Sequence, residues 1–446
     1  MGKATAWSRL VECRAVSLRG LSMGSAVGAL AALLVVPGLS LGAAAAQDGP
    51  LDVSGEVTLV AGAVDGDAKA DGDVSLRAEA TTILDSGLEL GAGGALRIDS
   101  DRPYRTYGGG RYSSALIGGT RGVGPEDGDL FVEGAYLFAR GGFGSLTVGR
   151  DDGAASRLAV TSPSIFRSVR VGDWRSDLTG LNDVHVVNDF SGTATKVTYM
   201  PPPGLFGGVI GNVQLGLSYA PRLGECAGEA CAPVTGYAPD SFGDLEAERA
   251  ARRALGEQAW RDVVEAAVYY QRGIELSDTP LRVGVGASYV RAAEDEPLEA
   301  QALAVPVADA LGDYRAYALG LNVAYGGLTV GGSVKSTNAG LDAPDGDYLA
   351  FDAGVTYEVG AWNFMLGYGA ADAERDAGLL IAPPVTGPLP RAFDRKTQTA
   401  QAGVSKALSE GVTLGVAAQF VDADKPDLLG GEEDAAAVVL ESSFKF

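Results

Sequence analysis

The chain has 446 residues and a formal net charge of −22, with 35 Lys and Arg against 57 Asp and Glu. That balance excludes a nucleic-acid surface, because phosphate binding needs a basic face. With 46% hydrophobic residues the chain is not disordered, and strong acidity suits solvated loops and a water-filled interior that favours cations.

Lys3, Arg9, Arg14 and Arg19 make a basic start, and an apolar stretch follows from Val27 to Leu41. Ala43-Ala44-Ala45-Ala46-Gln47 then offers small residues at the −3 and −1 positions of a cut. This order predicts a cleavable export signal over residues 1–46 and a mature region over 47–446. No later window reaches 18 consecutive apolar residues, so no second spanning helix is expected.

Beyond residue 50 the apolar period is two almost everywhere. Val412, Leu414, Val416, Ala418 and Phe420 alternate with Thr413, Gly415, Ala417, Gln419 and Val421. Leu349, Phe351, Ala353, Val355, Tyr357 and Val359 likewise oppose Asp352, Gly354, Thr356 and Glu358. Sixteen strands are predicted, starting near Leu51, Asp73, Gly87, Asp129, Gly142, Thr193, Val209, Val263, Leu281, Tyr314, Leu328, Tyr348, Trp362, Lys396, Gly411 and Ala435. Ten tilted residues at roughly 3.3 Å each cover about 25 Å, the height of an outer-membrane apolar band. Sandwich strands are shorter.

Short turns such as Asp85-Ser86, Gly326-Gly327 and Gly360-Ala361 alternate with longer segments at 64–72, 99–128, 151–192, 221–262, 293–313, 337–347, 372–395 and 423–434. The fold class is therefore all-β: a transmembrane antiparallel β-barrel of sixteen strands, with short periplasmic turns and long external loops. No proline falls inside these strands. Many of the 64 glycines do, and close backbone approach and barrel bending are the expected reasons. Leu245 to Val263 reads as a short solvated helix.

Cys226 and Cys231, four residues apart after the predicted cut, read as a disulfide closing a small loop. Asp65-Gly66-Asp67 and Asp71-Gly72-Asp73 carry oxygen donors that suit calcium, though without EF-hand spacing, and otherwise read as a solvated acidic loop. No other cofactor and no metal site is expected. The single histidine, His185, has no nucleophile at catalytic spacing, so no enzyme is expected either. Tyr136, Phe138, Tyr219, Tyr270, Tyr289, Tyr325, Tyr357, Trp362 and Phe446 read as lipid-side aromatics near strand ends.

At the C-terminus Val438, Leu440, Ser442, Phe444 and Phe446 share one face, with Glu441 and Lys445 on the other. This pattern resembles the signal by which outer-membrane barrels are recognised by their assembly machinery, with Phe444 and Phe446 as its aromatic end. Gly142-Phe143-Gly144-Ser145-Leu146-Thr147-Val148-Gly149-Arg150-Asp151 is similar to the strand that leads into the third external loop of Gram-negative general porins. The resemblance, to the alphaproteobacterial type of that family, implies a sixteen-stranded barrel, usually a homotrimer, with the third loop (about 151–192) folded into the lumen.

Such a constriction sorts solutes by charge across a narrow, partly desolvated gap. Asp151, Asp152, Asp173, Asp177, Asp183 and Asp189 are the loop candidates; Arg77, Arg97 and Lys196 fall on lumen-side parity and are the wall candidates. The same charges also read as plain solvated loop residues, and Arg157, Arg167, Arg170 and Arg175 give the loop cations of its own. The expected function is passive diffusion of small hydrophilic solutes and ions across the cell outer membrane, with modest cation preference. Expected partners are outer-membrane lipid and lipopolysaccharide, and no nucleic acid. The alternatives are a channel specific for a sugar or an anion, and an exported β-rich surface or adhesion protein that spans no membrane.

Overall fold

The computed structural model describes residues 51–99, 129–173, 177–192, 194–203, 212–223, 259–275, 279–295, 313–338, 348–373, 395–424 and 432–446. Its first eight strands are β1 (Leu51–Val64), β2 (Asp67–Ile83), β3 (Glu89–Asp99), β4 (Asp129–Gly141), β5 (Gly144–Arg150), β6 (Thr195–Met200), β7 (Asn212–Leu223) and β8 (Ala259–Glu275). The second eight are β9 (Pro280–Asp295), β10 (Tyr314–Tyr325), β11 (Leu328–Thr337), β12 (Tyr348–Val359), β13 (Trp362–Ala373), β14 (Arg395–Ser409), β15 (Val412–Asp424) and β16 (Glu433–Lys445). Each strand pairs with its sequence neighbours and β16 pairs with β1, so the sheet is a closed antiparallel barrel. At the seam Gly55 and Phe446 exchange both backbone hydrogen bonds, at 2.9 and 3.0 Å.

Alternation sorts the two faces in the order opposite to that of a soluble protein. Leu366, Phe420 and Val438 point outward and are 60%, 59% and 59% exposed, whereas Gln419 is fully buried on the inner face. An apolar outer surface of this extent is a lipid-facing wall. No described helix is long and apolar enough to cross a membrane; the crossing elements are the strands.

Several expected boundaries move. Segment 64–72 is not a loop: Asp65-Gly66 turns with φ of 51° and 95°, and β2 starts at Asp67. Asp-Gly is the residue pair such a tight hairpin demands, so most of the acidic cluster considered for calcium lies along β2. The helix expected up to Val263 is overturned where it can be seen, since residues 259–263 begin β8; the rest of it lies outside the described residues. The leader 1–46 and the Cys226–Cys231 pair lie outside them as well. Tyr136 and Phe138 face inward, because Ala135 and Leu137 occupy the outer face of β4. Room for their rings comes from the neighbouring strand: a Cβ on Gly93 would run into Tyr136, and one on Gly91 into Phe138. β5 and β6 are only seven and six residues long, because the chain leaves the wall after Arg150 and rejoins it at Thr195.

Candidate functional site: a loop held inside the barrel

The described residues between Asp151 and Ala194 run along the inner wall, starting with one helical turn, α1 (Ala154–Arg157). Their track is cut into the strands by glycines. An added Cβ on Gly216 would lie 2.8 Å from that of Ala154, and one on Gly286 would lie 2.7 Å from the carbonyl oxygen of Leu158. Gly320 sits against Val160 in the same way, and Gly403 and Gly415 receive the Phe166 ring. Further along, Phe190 stacks on Tyr314 with ring centroids 3.7 Å apart.

The loop is also gripped by ionised side chains on inward parity, each sign matched to the backbone group it meets. Carboxylates take N–H groups. Glu441 accepts from Arg167 N at 2.7 Å, Ser168 N at 2.9 Å and Ser168 Oγ at 2.8 Å. Asp352 accepts from Ser162 N and Oγ, and Glu265 accepts from Ala155 N at 3.2 Å. Ammonium groups take carbonyls. Lys335 donates to Val187 O at 2.6 Å, Lys69 to Leu178 O at 2.9 Å, and Lys196 to Asp151 O at 2.8 Å and to Gly192 O. Glu265, Lys335, Asp352, Glu441 and Lys196 are all at most 4% exposed. Buried charges are tolerable here because each finds hydrogen-bonding partners.

The inner faces of β2, β3 and β4 carry instead a polar ladder of their own. Arg140 bridges Glu89 at 3.0 Å and Glu79 at 3.2 Å, and the Tyr136 hydroxyl donates to Glu79 at 2.6 Å. Arg77 donates to the Tyr136 oxygen at 3.4 Å and reaches Asp151 of the loop at 3.5 Å; Asp151 is also paired with Arg157. The side chains of Arg77 and Arg140 are 43% and 41% exposed although they point into a closed barrel. Water therefore reaches them from within, and the barrel encloses an aqueous passage between ladder and loop.

A family model described as Gram-negative porin matches residues 29–426. The chain belongs to the Gram-negative porin family. Among solved structures this porin is similar to Salmonella typhi OmpF in complex with daunomycin, at 13% identity and a TM-score of 0.53, covering 88% of this chain and 97% of that one. It is also similar to the anion-selective porin of Comamonas acidovorans, at 16% identity and a TM-score of 0.48, covering 89% and 99%. The comparison with curated proteins finds no match. The porin is thus an outer-membrane channel protein.

Of the residues singled out from sequence, the porin brings Arg77, Asp151 and Asp152 to the passage. Asp152 opens onto the passage yet is surrounded by protein; desolvation by that burial, and then the charge of Asp151, hold its carboxyl above the ordinary carboxylate range. Arg97 faces inward and pairs with Asp73, nearer the rim of the long connections. Lys196 is 2% exposed and staples the two ends of the loop instead of lining the opening.

The other four aspartates serve the loop's own fold. Asp177 accepts from Thr179 N and Asn182 N, Asp189 meets His185 Nε2 at 2.7 Å, and the Asp183 carbonyl accepts from the Tyr348 hydroxyl. Asp173 pairs through its backbone with Arg170 and His185. Three ladder residues escape the sequence reading: Glu79, Glu89 and Arg140. Glu79 shares Arg77's parity two positions on, so strict alternation would find it; Arg140 needs the β3–β4 register, which places it opposite Glu89. Glu441, expected to face water, is covered by the loop.

Proposed function

We propose that this porin is a general diffusion channel, passing small hydrophilic solutes and ions without an energy source and with a modest preference for cations. The observation that carries the reading is the exposed, mixed-charge ladder on β2–β4 facing a loop tied to the opposite wall. Such an opening screens by size and charge and offers no stereospecific cradle. The preference is modest because Glu79, Glu89, Asp151 and Asp152 only slightly outweigh Arg77, Arg140 and Arg157 there. The chain's net charge of −22 adds to it.

A homotrimer is the proposed assembly, reached through barrel-assembly machinery that reads Phe444 and Phe446 at the free end of β16. Reconstitution into planar bilayers tests the whole reading. Stepwise, ohmic conductance with closures in groups of three is expected, with a reversal potential of cation-selective sign under a KCl gradient. Absence of conductance sinks the channel reading; a clearly anion-selective potential sinks the preference alone.

A further inference from the structure

Below the first part of the loop, toward the rim of tight turns, the inner wall holds a row without charge. Gln271, Gly284, Asn322, Gly331 and Gly354 are successive register partners across β8–β12. The row lies one inward step from Gly286 and Gly320, where the wall meets the loop. Its glycines leave room for two side chains to lie along the wall. Tyr269, on the inward parity of Glu265 and Ala267, leans over Gly284, where an added Cβ would lie 3.4 Å from the tyrosine oxygen. The Asn322 amide lies over Gly331 and donates to Thr161 O at 3.0 Å. The Tyr269 ring also packs against Ala154, Leu158 and Ala267, which fixes its place.

Tyr269, Asn322 and the loop from Arg157 to Pro163 line an open cavity of about 430 Å³. Small-molecule sites run from roughly 300 to 1,000 Å³. The one charged residue that lines it among the described residues, Arg157, is paired with Asp151, so the cavity offers an ion little net attraction. What it does offer is an aromatic ring, an amide and two hydroxyls, those of Tyr269 and Thr161, which no other described residue engages. The cavity lies against the β8–β10 wall, away from the charged ladder of β2–β4.

We propose that this cavity is a saccharide subsite, taking one or two neutral sugar rings on their way through the channel. A pyranose has apolar C–H faces and a rim of hydroxyls. It therefore pairs with an aromatic side chain and with uncharged donors and acceptors together. Affinity in the millimolar range suits a channel, which must let the solute leave as well as enter. The proposal rests on the diffusion-channel reading and adds to it a solute class that the lumen holds briefly.

Single-channel recording of the full chain in symmetric KCl tests this, with maltose set against a polyethylene glycol of matched hydrodynamic radius. Wild type is expected to show excess open-channel current noise that saturates with maltose and is absent with the polymer. Tyr269→Ala should weaken the maltose constant about tenfold, as for loss of an aromatic contact and a hydrogen bond. Tyr269→Phe keeps the ring packing and should weaken it about threefold, for the hydrogen bond alone. Gly273→Ala, on inward parity outside the cavity with nothing within 4 Å, should keep the wild-type constant. Equal effects of maltose and polymer on wild type overturn the proposal, and that comparison needs no variant to fold. Wild-type constants in both Tyr269 variants overturn it too. Absence of KCl conductance would instead sink the channel reading, whereas steady conductance without a saturable maltose effect sinks the subsite alone.

Discussion

Glu441 shows what an ionised side chain does on the inner wall of this barrel. It is 4% exposed, and its two oxygens serve Arg167 N, Ser168 N, Ser168 Oγ and, at 3.4 Å, Val169 N. Beside it the Arg167 guanidinium reaches Glu56 of β1 at 2.9 Å, a half-exposed pair that contributes far less than the buried one. Hydrogen bonds to a charged acceptor are worth about 1.5–3 kcal/mol each, and an orphaned buried N–H costs about 1–3 kcal/mol. Glu441→Ala is therefore expected to free the middle of the loop. Single-channel recordings should show a larger mean current and added open-state noise relative to wild type, whereas a quiet trace of unchanged amplitude would falsify this role. Which acids do this work is hidden from the sequence. Parity places Glu441 inside, but only the path of a loop some 270 residues distant decides that it is covered instead of wet.

Strands show the opposite balance, since most of them are legible one by one. The alternation over 348–359 and 411–422 marks which side chains leave the barrel, and the observed strands β12 and β15 agree with it. The misjudged elements have local causes. β2 starts earlier because Asp65-Gly66 makes a hairpin, and β4 turns Tyr136 and Phe138 inward because β3 presents glycines to them. Five strand glycines, Gly216, Gly286, Gly320, Gly403 and Gly415, weakening in themselves, are the loop's footprint. Gly320→Val would place methyl groups where the Val160 carbonyl lies, and overpacking of this kind costs about 1–3 kcal/mol. A lower heat-denaturation midpoint by gel mobility is expected for Gly320→Val. Gly273→Val, on inward parity in β8 with nothing within 4 Å, is the matched control and should leave the midpoint unchanged. Equal midpoints for the two variants would show that the loop does not depend on that track.

At the scale of the whole molecule, the passage is set by a wall and a loop that oppose each other across water. Asp152 is the exposed acid of the loop at this point, and desolvation together with Asp151 keeps its carboxyl above the usual range near 4. As pH falls from neutral it should therefore take up a proton before ordinary carboxylates do, while Arg77 and Arg140 stay charged. Cation preference is expected to weaken from pH 7 downward, beginning above the ordinary carboxylate range, as followed by reversal potential. Asp152→Asn should remove that early phase; a variant titrating like wild type would assign the change to other groups. Net acidity was legible from composition, but the near-balance of charge at the opening depends on the β3–β4 register and on the ends of the loop meeting at Lys196.

The β1–β16 seam has a consequence for how such a wall comes into being. Until Phe446 docks on Gly55, the growing sheet has two adhesive flanks, each a row of unsatisfied peptide groups ready to join any strand that drifts by. Locking the flanks to each other disposes of both at once. The hazard of mispairing with another chain is thus confined to the interval before the ring shuts, and ends when the last strand zips to the first.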